Sequence, residues 1–158
     1  PSVTLHISPS QSPSMPTDPK AAAVQSALAA YRSMWQAYVT ATRGPDPNAP
    51  NLARYATGDA LRTLTNGLQS LKDEGLKGTG DVTVAPQVAT ISPADAPTKI
   101  SIRDCVNTAA SQIVRASPGL PYSDTPGGRR LCLADVERQG DGSWKVTSFG
   151  LREVGTCG

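Results

Sequence analysis

The apolar residues of this chain keep one period up to Glu74 and another after Gly80. Before the break they recur every three or four positions, the spacing of one helix face. After it they alternate, the spacing of a strand. Gly75, Gly78 and Gly80 mark the change. Helical pieces followed by a meander of antiparallel strands define an α+β fold.

The helical part opens at Asp18-Pro19. Asp18 can cap free backbone N–H groups, and proline suits the first helical position because its missing donor costs nothing there. Val24, Leu28, Tyr31, Trp35, Tyr38, Val39 and Thr42 then form one stripe, and Gly44-Pro45 ends it. The spacing predicts a long helix to about Thr42, a short one over Asn51–Ala56, and a third from Asp59 to Glu74. The third carries Leu61, Leu64, Leu68 and Leu71 on one face, with Gly67 as a weak point of about 1 kcal/mol relative to alanine.

Four or five strands are expected to follow. Asp81–Ile91 reads as one strand with Val82 and Val84 on a face, interrupted by Pro86 at an edge or bulge. Thr98–Val106 puts Ile100 and Ile102 inward, and Gln112–Ala116 is a short strand. Arg129–Arg138 and Ser143–Val154 form a hairpin about Gly140-Asp141-Gly142.

Composition removes several classes. With 14 glycines and 14 prolines in 158 residues, a coiled coil, a collagen and a membrane bundle are excluded. The net charge is +2 and the basic residues are scattered, without interleaved aromatics, so nucleic-acid binding is not expected. Five prolines and five serines within the first twenty residues make residues 1–17 a Pro/Ser-rich tether ahead of a single domain over 18–158. Within it Val3-Thr4-Leu5-His6-Ile7 alternates enough for one short strand, which offers a route to self-association at a sheet edge; the other reading is plain linker. The chain starts at Pro1, and the tether suits a secreted protein or one held on the outer face of the cytoplasmic membrane by a preceding anchor. Membrane contact is expected through that anchor alone.

The residues that carry chemistry are few. The one histidine, His6, lies in the tether, so no Ser-His-Asp or Cys-His arrangement has its base in the domain. No H-E-x-x-H or C-x-x-C occurs, and cysteines spaced by 27 and 25 residues match no zinc pattern. Gly78-Thr79-Gly80 follows a helix and precedes a strand, the reverse of a phosphate-binding loop. No metal, cofactor or catalytic residue is assigned. For Cys105, Cys132 and Cys157, one pair and one leftover thiol is the simplest arrangement. Folding the last hairpin sets Cys132 opposite Gly150 and Cys157 near Thr125, the end of the sheet that Cys105 reaches. Cys105–Cys157 is the expected bridge, Cys105–Cys132 its rival, and Cys132 the buried free thiol.

The runs AYRSMWQAYVTATRGPDPNAPNLARYATGDALRTLTNGLQSLKDEGL, ISPADAP, DCVN, DTPGGRR and SWKVTSFGLREVGTCG resemble a family of uncharacterised secreted or lipid-anchored actinobacterial proteins. Their domain is similar to the cone of nuclear transport factor 2. The resemblance implies a curved antiparallel sheet wrapped around the long helix, and a pairing of the cysteines that match Cys105 and Cys157; Cys132 departs from its pattern. It brings no activity. Fold relatives include isomerases and dehydratases that use an Asp or Tyr in the cone cavity, where Tyr31, Tyr38, Tyr55, Asp59 and Asp104 are the available groups here.

Three function classes follow. The favoured one is an extracytoplasmic interaction or structural domain tethered at the cell surface, with an unidentified protein or cell-surface partner. A small apolar-ligand-binding module comes second and an isomerase- or dehydratase-type enzyme third. With one phenylalanine and two tryptophans, large side chains are scarce. A mostly apolar pocket is therefore expected between Tyr31, Trp35 and Tyr38 of the helix and Val82, Val84, Ile100, Ile102, Leu133 and Val146 of the strands, with Asp104 or a tyrosine hydroxyl at its rim. A filled cavity would favour interaction, an open one a ligand.

Overall fold

The structure, a computed structural model, describes residues 18–119 and 121–157. The tether and its Val3–Ile7 strand lie outside the described residues. Helix α1 (Pro19–Thr42) starts as its sequence dictates: Asp18 accepts from the backbone N–H of Lys20 and Ala21, and proline takes the first turn. Tyr31, Trp35 and Thr42 of the expected stripe are buried, but the rest of the buried face is Ala23, Ala27, Ala30, Met34 and Ala41, while Val24, Leu28, Tyr38 and Val39 are half-buried. Alanines let the helix axis lie close to the sheet, so the larger aliphatic residues fall to its sides. Helix α2 (Pro50–Tyr55) and helix α3 (Gly58–Asp73) follow. Gly58 takes φ +57°, a left-handed conformation that suits glycine.

The antiparallel strands form two sheets. The larger has the order β2 (Gln87–Ser92), β3 (Lys99–Asn107), β5 (Arg129–Arg138), β6 (Trp144–Val154). The smaller pairs β1 (Leu76–Gly80) with β4 (Ser111–Arg115). Along β3 every second residue is buried, Ile100, Ile102, Asp104 and Val106, and β5 sets Val136, Ala134 and Cys132 opposite the first three. Helix α1 packs across β3, β5 and β6, and α3 against β6 and β1. Thr57 donates its backbone N–H to Val146, which fixes the α2–α3 junction to β6.

The α+β class holds, with corrections inside it. Six strands occur among the described residues rather than four or five. Strand β1 falls at the glycines that mark the change of period, where the sequence predicts no strand. Gly78 faces Thr42 so closely that a Cβ would overlap that side chain, which explains glycine there and hides the alternation. The strand expected over Asp81–Ile91 begins only at Gln87, because Pro86 interrupts it; one isolated bridge, Thr83 to Asn107, remains upstream. In the last hairpin a bulge between Asp135 and Val136 shifts the register, so Cys132 faces Leu151 rather than Gly150. Leu133, expected inward, points outward at 39% exposure because its neighbour Cys132 takes the buried face.

Cys105 and Cys157 form the disulfide, with Cα atoms 5.7 Å apart, and Cys132 is a buried free thiol. The bridge crosses β5 to join β3 to the turn beyond β6. That turn is held further by Gly155 N–H to Arg129 carbonyl and by Leu131 N–H to the Thr156 hydroxyl at 2.9 Å. A sequence separation of 52 gives about 4 kcal/mol of stabilisation in the chain-entropy picture. Cys105→Ser with Cys157→Ser is expected to lose about that much in urea unfolding. Non-reducing peptide mapping should yield the Cys105–Cys157 peptide, with Cys132 alkylated only after denaturation.

Candidate functional site

A half-open groove of about 660 Å³ lies where the two helical walls and the two sheets part company. It opens at the end of the larger sheet where β5 begins and β6 ends. Helix α1 supplies Trp35, Tyr38, Val39 and Thr42; α3 supplies Leu64, Gly67 and Leu71. The small sheet adds Gly78 and Ile113, and β6 adds Phe149, Leu151 and Val154. Most of this surface is apolar, and its aromatic wall is ordered: Trp35 meets Tyr38 and Phe149 edge-on, with ring centroids 6.3 and 5.9 Å apart.

The polar groups at the groove are mostly committed. Thr42 donates its hydroxyl to the Val39 carbonyl at 2.6 Å. Asp124 accepts from Ile113 N–H at 2.8 Å, which ties the loop before β5 to β4. Arg130 donates its Nε to the Arg152 carbonyl. Two donors stand apart. The Trp35 indole N–H is buried with no hydrogen-bond partner, and the Tyr38 hydroxyl, whose oxygen is not buried, makes no hydrogen bond among the described residues. Burial pushes the Tyr38 phenol above its ordinary value, so it stays protonated and able to donate.

The structure separates the expected pocket residues into two groups. Trp35 and Tyr38 line the groove, with Val82; Tyr31 and Asp104 do not. Asp104 is only 2% exposed, and its carboxylate accepts from the Tyr31 hydroxyl at 2.7 Å and from Ala85 N–H at 2.8 Å. It is an internal tie, away from any rim. Val84, Ile100, Ile102 and Val146 are also absent from the lining, the last three being fully buried. Asp59 pairs with Arg62 on the surface, and Tyr55 carries the Arg54 guanidinium over its ring. Acids at the mouth are Asp124 and Glu153 instead. Sequence reasoning missed the contributions of Phe149, Leu151 and Ile113, although Phe149 and Leu151 alternate on the last strand. Among the described residues no cluster of three metal-ligating side chains occurs, and no helix is long and apolar enough to cross a membrane.

No family model matches the chain, and no curated protein does. Among solved structures, the intermembrane space region of the chloroplast protein ARC6 is similar at TM-score 0.57 and 13% identity, covering 81% of this chain and 95% of that one. A Nostoc punctiforme protein of unknown function with a cystatin-like fold aligns at TM-score 0.46 and 9% identity, over 78% and 88% of the two chains. A ketosteroid isomerase-like protein from Erwinia carotovora atroseptica aligns at 0.43 and 16%, over 77% and 92%. The likeness to the ARC6 region is one of fold; the other two are more distant.

Cys132, Tyr31 and Asp104 meet inside the sheet–helix interface, and this has a consequence at alkaline pH. Burial chiefly, and then the neighbouring Cys132 and Asp104, raise the Tyr31 phenol; burial raises the Cys132 thiol. Above the ordinary thiol and phenol values of 9.0 and 10.0 the unfolded chain releases protons that the folded chain keeps. Stability should therefore be full below pH 9 and fall as pH rises through 10. Urea midpoints at pH 8 and pH 10.5 test this, and the decline should be shallower in Tyr31→Phe. At pH 7 that variant is expected to cost about 1–3 kcal/mol, because Asp104 loses a buried donor.

Proposed function

We propose that this chain is an extracytoplasmic binding domain that holds a small apolar molecule in the groove without transforming it. The observation that carries this reading is the open, aromatic-walled groove itself. Its volume falls in the range of roughly 300–1,000 Å³ typical of small-molecule sites. The sequence alone favours a tethered interaction or structural domain, for which a filled cavity was the expected sign; the open groove moves ligand binding ahead of it. Against an enzyme reading stands the state of Asp104. Both carboxylate oxygens are occupied and the side chain is buried, so it is poorly placed to take a proton from a bound substrate.

The disulfide supports an oxidising compartment. The resemblance to secreted or lipid-anchored proteins points the same way. In this reading the Pro/Ser residues 1–17 are the spacer between the domain and the cell surface. Partner docking is the second reading. It draws on β2, an edge strand of the larger sheet whose residues are mostly exposed.

Titration of the oxidised protein with the neutral fluorophore N-phenyl-1-naphthylamine tests the proposal. Saturable enhancement at one probe per chain is expected. Leu71→Gln and Ile113→Gln, both half-buried in the lining, should each weaken binding about tenfold, or about 1.4 kcal/mol, with little change in Tm. A signal that never saturates, or that ignores both substitutions, counts against the groove.

A further inference from the structure

The groove carries information about what enters it. Buried donors in folded proteins almost always find an acceptor, and the exceptions call for a reason. Here the exception is Trp35, 6% exposed, whose indole N–H has no acceptor although its ring lines the groove. One turn further along α1, Tyr38 lines the same groove with a hydroxyl that is not buried and makes no hydrogen bond among the described residues. Gly67 leaves room for this hydroxyl. A Cβ on Gly67 would come within 2.7 Å of the Tyr38 oxygen, so the absence of a side chain on α3 is what lets the phenol reach this position. Two donors thus stand on one helix face of a mostly apolar lining, and neither makes a hydrogen bond among the described residues.

The charged groups give the second part. Asp124, Glu153 and Arg130 border the groove, so a cationic or an anionic head group meets both signs there. Nothing in the lining favours a ligand that carries charge. Resting on the binding reading above, we infer that the ligand is an uncharged apolar molecule bearing a hydrogen-bond acceptor oxygen, of the carbonyl or ether kind, to which Trp35 Nε1 and Tyr38 Oη donate. Its apolar body lies along Leu64, Leu71, Phe149 and Leu151. The alternative partner for the indole is water. The indole nitrogen has no open surface of its own, so a ligand or a water meets it only as the ring turns, towards the groove or towards a smaller hollow of about 270 Å³ edged by Arg32, Gln36, Arg43 and Asp81.

Two probes of nearly equal shape separate these possibilities. 2-Acetylnaphthalene carries the acceptor and 2-ethylnaphthalene does not. Each is used to displace N-phenyl-1-naphthylamine from the oxidised chain. The acetyl compound should bind about tenfold tighter, the scale of one well-made hydrogen bond in a desolvated site. In Trp35→Phe the two should come within about twofold of one another, and Tyr38→Phe should narrow the gap. The Trp35 indole proton, assigned by its persistence in Trp144→Phe, should move downfield in the NMR spectrum with the acetyl probe alone. If Trp35→Phe does not fold, Tyr38→Phe and the indole resonance carry the test. Equal binding of the two probes, or a preference that survives in both variants, overturns the acceptor inference and leaves the apolar groove standing. Failure of N-phenyl-1-naphthylamine itself to bind overturns the binding reading and this inference together.

Discussion

The carboxylate of Asp104 is the point on which the arrangement of layers depends. It sits on the buried face of β3, and in that environment a bare carboxylate would be strongly disfavoured. Two donors prevent this. The Tyr31 hydroxyl comes from the middle of α1, and the Ala85 N–H comes from the irregular stretch between β1 and β2. One side chain therefore fixes the helix to the sheet and also fixes a segment that has almost no ladder of its own. Val82, three residues before Ala85, is thereby held at the groove. Loss of either donor would leave the carboxylate underbonded and the segment free to shift.

Close approach of α1 to the sheet explains why a groove exists at all. Ala23, Ala27 and Ala30 let the first half of the helix lie close to the larger sheet, in one core with Ile100, Ile102, Val136 and Val146. Further along, the residues that face the strands are Trp35, Tyr38 and Thr42, and the layers there must separate to admit them. The space that results is wider than the chain's supply of large side chains can fill. Gly67 and Gly78 lie at this end, against Tyr38 and Thr42, where a side chain would displace the α1 residue it faces. Small residues at these contacts hold α3 and β1 close to α1, while Phe149 and Leu151 line the groove from the sheet side.

Much of this was legible in the sequence, and the failures have physical causes. Asp18-Pro19, the switch of period and the glycines at its border announce the helices and the α+β order. The Cys105–Cys157 bridge followed from a hairpin whose turn, Gly140-Asp141-Gly142, was unambiguous. The register was less secure, because a bulge leaves no mark in an alternating pattern: shifting at Asp135–Val136 exchanges Gly150 for Leu151 opposite Cys132. Strand β1 was invisible since Leu76-Lys77-Gly78-Thr79-Gly80 owes its conformation to pairing with β4 and not to its own side chains. For the site, Trp35 and Tyr38 were within reach of periodicity, but the exclusion of Tyr31 and Asp104 was not. Whether a polar residue on a buried face opens to a cavity or bonds to a neighbour is decided by a contact between positions 73 apart in sequence.

An open groove with an unsatisfied indole is a cost, and the position of the disulfide bears on how it is tolerated. Leaving one buried N–H without a partner costs about 1–3 kcal/mol. The cross-link from Cys105 to Cys157 contributes about 4 kcal/mol by constraining the unfolded chain. More to the point is where it acts. Beyond Leu151, β6 reaches the groove through Glu153 and Val154, at a strand end that would otherwise fray. The bridge ties the turn after that end to β3, the strand that carries Asp104, across the whole width of β5. Hydrogen bonds from Leu131 to Thr156 and from Gly155 to Arg129 hold the same turn from beneath. The groove wall is thus fastened to the best-packed part of the sheet by a covalent bond rather than by filling the cavity with side chains. The width of the groove at this end therefore depends on the covalent tie and the hydrogen bonds of the closing turn more than on side chains packed across it.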